Sequence, residues 1–209
     1  MATEVEMKLG VGTEEKLNQV LADPELTQYM KDDYVSFHME SIYFDTEDSV
    51  LTQRKWTLRL RSENGVKVAA FKTANMNDKG GFFTRNEWQC LVDNAEDAIP
   101  MLIEQGAPRE LKNLLKGKKL MPICGADFTR RSATLYMDDG VRVELAGDFG
   151  YLYAGEKREQ ICELEVELLY GDAGSLPPLC DQLLKDYDLY EESRSKYQRA
   201  RALYDQGKN

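Results

Sequence analysis

The residues with most chemistry in this chain are charged side chains at alternate positions of strand-like segments. Glu4, Glu6 and Lys8 share one face of an N-terminal segment whose other face is Val5, Met7 and Leu9, because residues two apart in a strand point the same way. Arg59 and Arg61 share a face opposite Leu58 and Leu60, and Arg85, Glu87 and Gln89 share another. Arg142, Glu144 and, if that strand continues, Asp148 form a fourth set, and Glu163, Glu165 and Glu167 form a fifth opposite Leu164, Val166 and Leu168. Each set alone reads as the wet side of an amphipathic strand. Together they read differently, because like charges two apart on one face repel unless an opposite charge lies between or across from them. Clustered carboxylates suit a divalent cation such as Mg²⁺, which takes hard oxygen ligands. Clustered Arg and Lys suit phosphate, Arg as a bidentate fork and Lys as a point charge.

The surrounding elements decide which way these faces look. Strand-like runs are predicted near 2–9, 34–44, 56–63, 66–73, 82–92, 126–138, 141–147, 149–155 and 160–170. Asn64-Gly65 and Asp139-Gly140 mark hairpins between neighbours. Helices are predicted near 13–22, 24–32, 95–105, 108–116, 175–189 and 193–205, with Thr46 capping a short turn to about Arg54. The helices need an apolar sheet face to cover, so the charged faces are expected to point inward. The expected fold is therefore α+β: a closed antiparallel barrel of about eight strands with helices packed on the outside, wide enough to hold a small ligand.

Composition narrows the rest. The 209 residues carry 27 Lys and Arg against 37 Asp and Glu, a net charge of −10, which argues against nucleic acid or an anionic membrane as partner. The N-terminus shows neither a basic nor an apolar leader segment, no run approaches a membrane span, and a cytoplasmic location is the expectation. Cys90, Cys124, Cys162 and Cys180 are widely spaced and His38 is the one histidine. Zinc ligation and His-based nucleophilic chemistry are therefore not expected, and the thiols read as reduced and buried.

Several of these segments, in order, resemble one family. Glu4-Val5-Glu6-Met7-Lys8 has the form ExExK at the extreme N-terminus, the signature of the CYTH domain, the adenylyl cyclase and thiamine triphosphatase superfamily also called triphosphate tunnel metalloenzymes. Tyr43-Phe44-Asp45-Thr46, Leu58-Arg59-Leu60-Arg61, Phe71-Lys72-Thr73, Asp127-Phe128-Thr129-Arg130, Glu144-Leu145-Ala146-Gly147-Asp148, Ile161 to Leu168 and Ser195-Lys196-Tyr197 continue the series. The pattern looks most like the bacterial inorganic triphosphatases, some of which carry a second, helical C-terminal domain that 209 residues are not expected to accommodate.

The resemblance implies that residues 1–209 form a single CYTH domain, a Mg²⁺-dependent (or Mn²⁺-dependent) hydrolase cleaving tripolyphosphate to pyrophosphate and phosphate. It implies that Lys8, Arg59, Arg61, Lys72, Arg130 and Lys196 bind substrate, with Arg85 a weaker candidate. Of Arg130 and Arg131 only one can face inward, and Arg130 is favoured. Glu4, Glu6, Asp148, Glu163 and Glu165 are the implied metal ligands, with Glu4, Glu6 and Lys8 catalytic and with Glu144 and Glu167 behind them or at the tunnel mouth. Thiamine triphosphatase, class IV adenylyl cyclase and a non-catalytic polyphosphate- or nucleotide-binding module are the alternatives, and a homodimer is left open.

Overall fold

The computed structural model describes residues 2–74, 82–137 and 140–207, without the side chains of residues 2–4, 74 and 82–85. The elements run β1 (Ala2–Gly10), α1 (Glu14–Leu21), α2 (Pro24–Thr27), β2 (Val35–Asp45), α3 (Val50–Gln53), β3 (Trp56–Glu63), β4 (Val66–Ala74), β5 (Phe82–Leu91), α4 (Ala95–Glu104) and α5 (Glu110–Leu115). Then come β6 (Met121–Tyr136), β7 (Arg142–Ala154), β8 (Lys157–Tyr170), α6 (Leu176–Asp186), β9 (Tyr190–Glu191) and α7 (Lys196–Gln206).

The strands form one nine-stranded sheet in the order β5-β4-β3-β2-β6-β7-β8-β1-β9, every named pairing antiparallel. This corrects the expected closed barrel of eight strands. The sheet counts nine strands and its order ends on β9. β1 divides its length among three partners. It pairs with β5 from Ala2 to Met7, with β8 from Glu6 to Gly10, and with β9 at Leu9 and Gly10. Among the described residues, only Glu6 and Met7 are held by both β5 and β8. The β1–β5 contact curls the sheet on itself without the uniform two-sided pairing of a regular barrel.

Burial sorts the two faces. On the outer face, Met7, Leu9, Leu145, Leu164 and Val166 pack with Leu17 and Leu21 of α1 and with Cys180 and Leu183 of α6. Leu58, Phe71 and Trp88 pack with Leu102 of α4 and Leu111 of α5. The third cluster departs from the expected arrangement of helices outside. Ala200 and Leu203 of α7 pack with Met39, Tyr43, Ala126, Phe128, Leu152 and Ile161, residues in phase with the inward-facing charges. That end of the inner face is apolar and needs covering, so α7 lies inside the curl. All four cysteines are free and buried, and burial pushes the thiols of Cys124 and Cys180 up to about 12. No helix among the described residues is long and apolar enough to cross a membrane.

Candidate active site

Cross-strand register brings the charged faces together, since directly opposed residues share a face. Lys8 lies opposite Glu165, and Glu6 opposite Glu167. Glu144 is opposite Glu167, and Asp148 opposite Glu163. Arg130 is opposite Asp148, Lys72 opposite Glu87, and Arg59 opposite Tyr43. β7 runs through Gly147 and Gly150 without a break, which keeps Asp148 in phase with Glu144.

These faces enclose a cavity of about 310 Å³ lined by Lys8, Arg59, Arg61, Lys72, Arg130 and Lys196 together with Glu6, Glu87, Glu144, Glu165 and Glu167. The six cations anticipated there are thus side by side. Arg131 turns outward to Asn18 of α1. Asp148 and Glu163 do not line the cavity; both are buried behind Arg130 and Lys196, at 0% and 1% exposure. Glu4 and Arg85 are opposed in the β1–β5 register, but their side chains lie outside the described residues. Asp45 of the Tyr-Phe-Asp-Thr segment has a structural task. Its carboxylate accepts from the backbone N–H of Thr46, Leu51 and Thr52 at 2.8–3.0 Å and from Thr52 Oγ1 at 2.6 Å, fixing α3. His38 sits on the outer face with Nε2 3.7 Å from both Glu40 and Asp127.

The cavity has an acidic and a basic wall. On the acidic side, Arg130 donates from Nε to Asp148 Oδ1 at 2.8 Å and from Nη2 to Oδ2 at 2.7 Å, and Nη2 also touches Glu165. Lys196 Nζ reaches Asp148 at 2.6 Å, Glu165 at 2.8 Å and Glu163. Lys8 Nζ is 3.3 Å from Glu165 and 3.9 Å from Glu6. Burial raises the pKa of Glu163 and of Glu165. The ammonium of Lys196 with Lys8 and Arg199 outweighs it at Glu163, and Lys196, Arg130 and Lys8 outweigh it at Glu165, so both stay ionised below the ordinary range. The same pairing raises Lys196 above an ordinary lysine despite its burial.

The basic side is less well compensated. Burial, then the neighbouring Arg59 guanidinium, pushes Arg61 down to about 10, and its contact with Glu63 returns only part of that. Arg61 Nε is buried without a hydrogen-bond partner among the described residues. A cluster of cations lining a half-open cavity favours an anion there. At the far wall Glu87 lies 3.0 Å from Lys72 and 3.9 Å from Arg59. Burial raises its pKa, but Lys72 and Arg59 outweigh that and hold it at about 2.

A depressed carboxylate stabilises the fold above its unfolded value and loses that contribution as pH falls through the folded one. Thermal denaturation of the ligand-free protein should therefore show a Tm that is level above about pH 5 and falls progressively toward pH 2. Glu87→Gln should flatten part of that slope.

The donor set is one a hard cation accepts. Asp148, Glu163 and Glu165 each offer a carboxylate oxygen, and these atoms lie within 4.8 Å of one another. Their charge is now balanced by Lys196 and Arg130, so a metal would take over a neutralising role that those side chains hold. The arrangement can thus seat a compact polyanion on one wall and a divalent cation at the other.

Those features define a cavity lined by cations and carboxylates, set in a curled antiparallel sheet. Residues 2–200 match the CYTH domain model, and the chain belongs to the CYTH domain family. It is 28% identical over 207 residues to an inorganic triphosphatase of Haemophilus influenzae, covering 97% of this chain and 55% of that one. The chain thus spans about half the length of that curated relative. Among solved structures, its fold is similar to that of a Hippeastrum protein described as an adenylyl cyclase candidate with a dominant triphosphatase activity. That match has TM-score 0.59 and 18% identity and covers 98% of this chain and 96% of that chain. It is also similar to a protein of Pyrococcus horikoshii OT3, with TM-score 0.52, 15% identity and coverage of 92% and 96%.

Proposed function

We propose that this chain hydrolyses inorganic triphosphate, with Mg²⁺ or Mn²⁺ as cofactor and residues 1–209 acting as one catalytic unit. The observation that carries this reading is the convergence of Lys8, Arg59, Arg61, Lys72, Arg130 and Lys196 on one cavity with an acidic wall. At about 310 Å³ the cavity lies at the small end of ligand sites, which favours a bare phosphate chain over a nucleotide held wholly inside. The 28% identical inorganic triphosphatase points the same way.

Arg59, Arg61 and Lys72 receive the phosphate chain, whose negative charge offsets the repulsion between the Arg59 and Arg61 guanidiniums. Arg130 and Lys196 stand at the boundary of the two walls and present charge to the phosphoryl group nearest the acidic side. Lys8, between Glu6 and Glu165, is placed to hydrogen-bond the leaving phosphate as its charge develops. Asp148, Glu163 and Glu165, with Glu4 and Glu6, would hold the metal, and Glu144 and Glu167 border that region. Such an ion supplies Lewis-acid polarisation of phosphoryl oxygens and a more acidic bound water.

The test is phosphate release with Mg²⁺ or Mn²⁺ from tripolyphosphate, ATP and thiamine triphosphate at equal concentration. Tripolyphosphate is expected to have the highest kcat/KM. Preference for ATP or thiamine triphosphate would transfer the assignment to the corresponding organic substrate, and binding without turnover would mark a non-catalytic module.

A further inference from the structure

Arg199 has no place in the mechanism above, yet it is one of the most buried charged side chains in the protein, at 6% exposure. It does not line the cavity. One of its amino groups, Nη2, donates to Glu163 Oε2, and the other, Nη1, is 3.8 Å from Glu192 Oε2. Glu192 is itself anchored. Its backbone N–H donates to the carbonyl of Lys8 at 3.0 Å, and its carboxylate accepts from Arg194 N, Nε and Nη2 at 2.9–3.0 Å. Glu163 turns its other oxygen, Oε1, to Lys196 Nζ in an ion pair that lacks hydrogen-bond geometry. Of the side chains in this chain of contacts, Lys196 is the one that lines the cavity.

The helix reinforces the arrangement. Lys196 opens α7 and Arg199 follows one turn later on the same side. The helix start is locked by a capping box in which Ser195 Oγ accepts from Gln198 N at 3.2 Å and Gln198 Oε1 accepts from Ser195 N at 2.7 Å. Asp148 at 2.6 Å and Glu165 at 2.8 Å also hold the Lys196 ammonium, but a point charge has no directional fork of its own, and a third fixed carboxylate narrows its position. Here the fork is one step back.

We propose that Arg199 is a positioning residue: clamped between Glu192 and Glu163, it fixes the Glu163 carboxylate, which in turn fixes the Lys196 ammonium at the wall where the phosphate chain binds. This rests on the triphosphate reading above. It differs from a purely structural role because the consequence reaches ligand binding through Lys196.

Two variants test it. Arg199→Met with Glu192→Gln removes one charge of each sign and leaves the buried balance unchanged, and Arg199→Lys keeps the charge but cannot span both carboxylates. Affinity for tripolyphosphate is read by calorimetry in EDTA, where no metal contributes, and beside it Tm and the KM and kcat for hydrolysis. The double variant is expected to bind tripolyphosphate about tenfold more weakly in EDTA, with KM raised by a similar factor, and Arg199→Lys to fall between it and wild type. If the double variant does not fold, Arg199→Lys decides alone. Affinity and KM within twofold of wild type in folded variants, with or without a fall in Tm, overturn the proposal. Wild-type protein that binds no tripolyphosphate would instead overturn the triphosphate reading, and this proposal with it.

Discussion

Arg130→Met is expected to cut kcat/KM for tripolyphosphate by at least about 100-fold and to lower the Tm of the ligand-free protein by about 10 °C. Both effects have one origin. Arg130 forks onto Asp148 at 2.8 and 2.7 Å and also touches Glu165, and Asp148 is completely buried. Removing the cation takes the two-point partner from a dry carboxylate that keeps Lys196 at 2.6 Å, which costs about 3 kcal/mol. The same guanidinium faces the cavity, so a charge that would meet the phosphoryl group is lost too. Arg130→Lys should recover part of the stability and little of the activity, because an ammonium cannot reproduce the planar two-point contact. Denaturation melts and steady-state kinetics on the three proteins check this.

Arg61→Met should lose about 100-fold in kcat/KM as well, but with the opposite sign on stability. Arg61 is held at about 10 by its burial and by Arg59 beside it. Its charge is thus less favourable in the folded protein than in the unfolded chain, and its contact with Glu63 does not restore the difference. The ligand-free variant is therefore expected to melt at or above the wild-type temperature. Tripolyphosphate should raise wild-type Tm strongly, since a ligand bound only to the folded state stabilises it by mass action, and should raise that of Arg61→Met far less. A variant that melts well below wild type, as Arg130→Met should, would mean that Arg61 is fully compensated without a ligand.

The contrast between these two arginines explains what could be read in advance. Strand alternation alone placed Arg59, Arg61, Glu144, Glu165 and Glu167 on single faces, and β3, observed at Trp56–Glu63, matches its predicted span. The inner apolar end was not legible. Ala126, Leu152 and Ile161 lie on the charged strands' inward side, and nothing local says that a helix will enter there, since that choice depends on which faces the finished sheet leaves uncovered. Two strands are predicted near 141–147 and 149–155, where the structure has the single β7, and Gly147 and Gly150 permit close approach within it. A Cβ at Gly150 would stand 2.3 Å from the carbonyl oxygen of Asp127.

β6 is predicted from near 126 and starts at Met121. Pro122 is tolerated because it falls where the β2–β6 register shifts, opposite Phe44. β9, two residues long, carries no periodicity to detect. Arg199 escaped notice for a different reason. Its spacing of three from Lys196 places the two on one helix side, a signal that gains meaning only once α7 is known to lie inside the sheet.

The central claim is that the inward cations form a receptor for one chain of phosphates. Calorimetric titration of tripolyphosphate into the metal-free wild-type protein tests it without relying on turnover. One tripolyphosphate is expected to bind per chain, far more tightly than orthophosphate, with an affinity that weakens as salt is added. Equal affinity for both anions, or no saturable binding of tripolyphosphate, would contradict it.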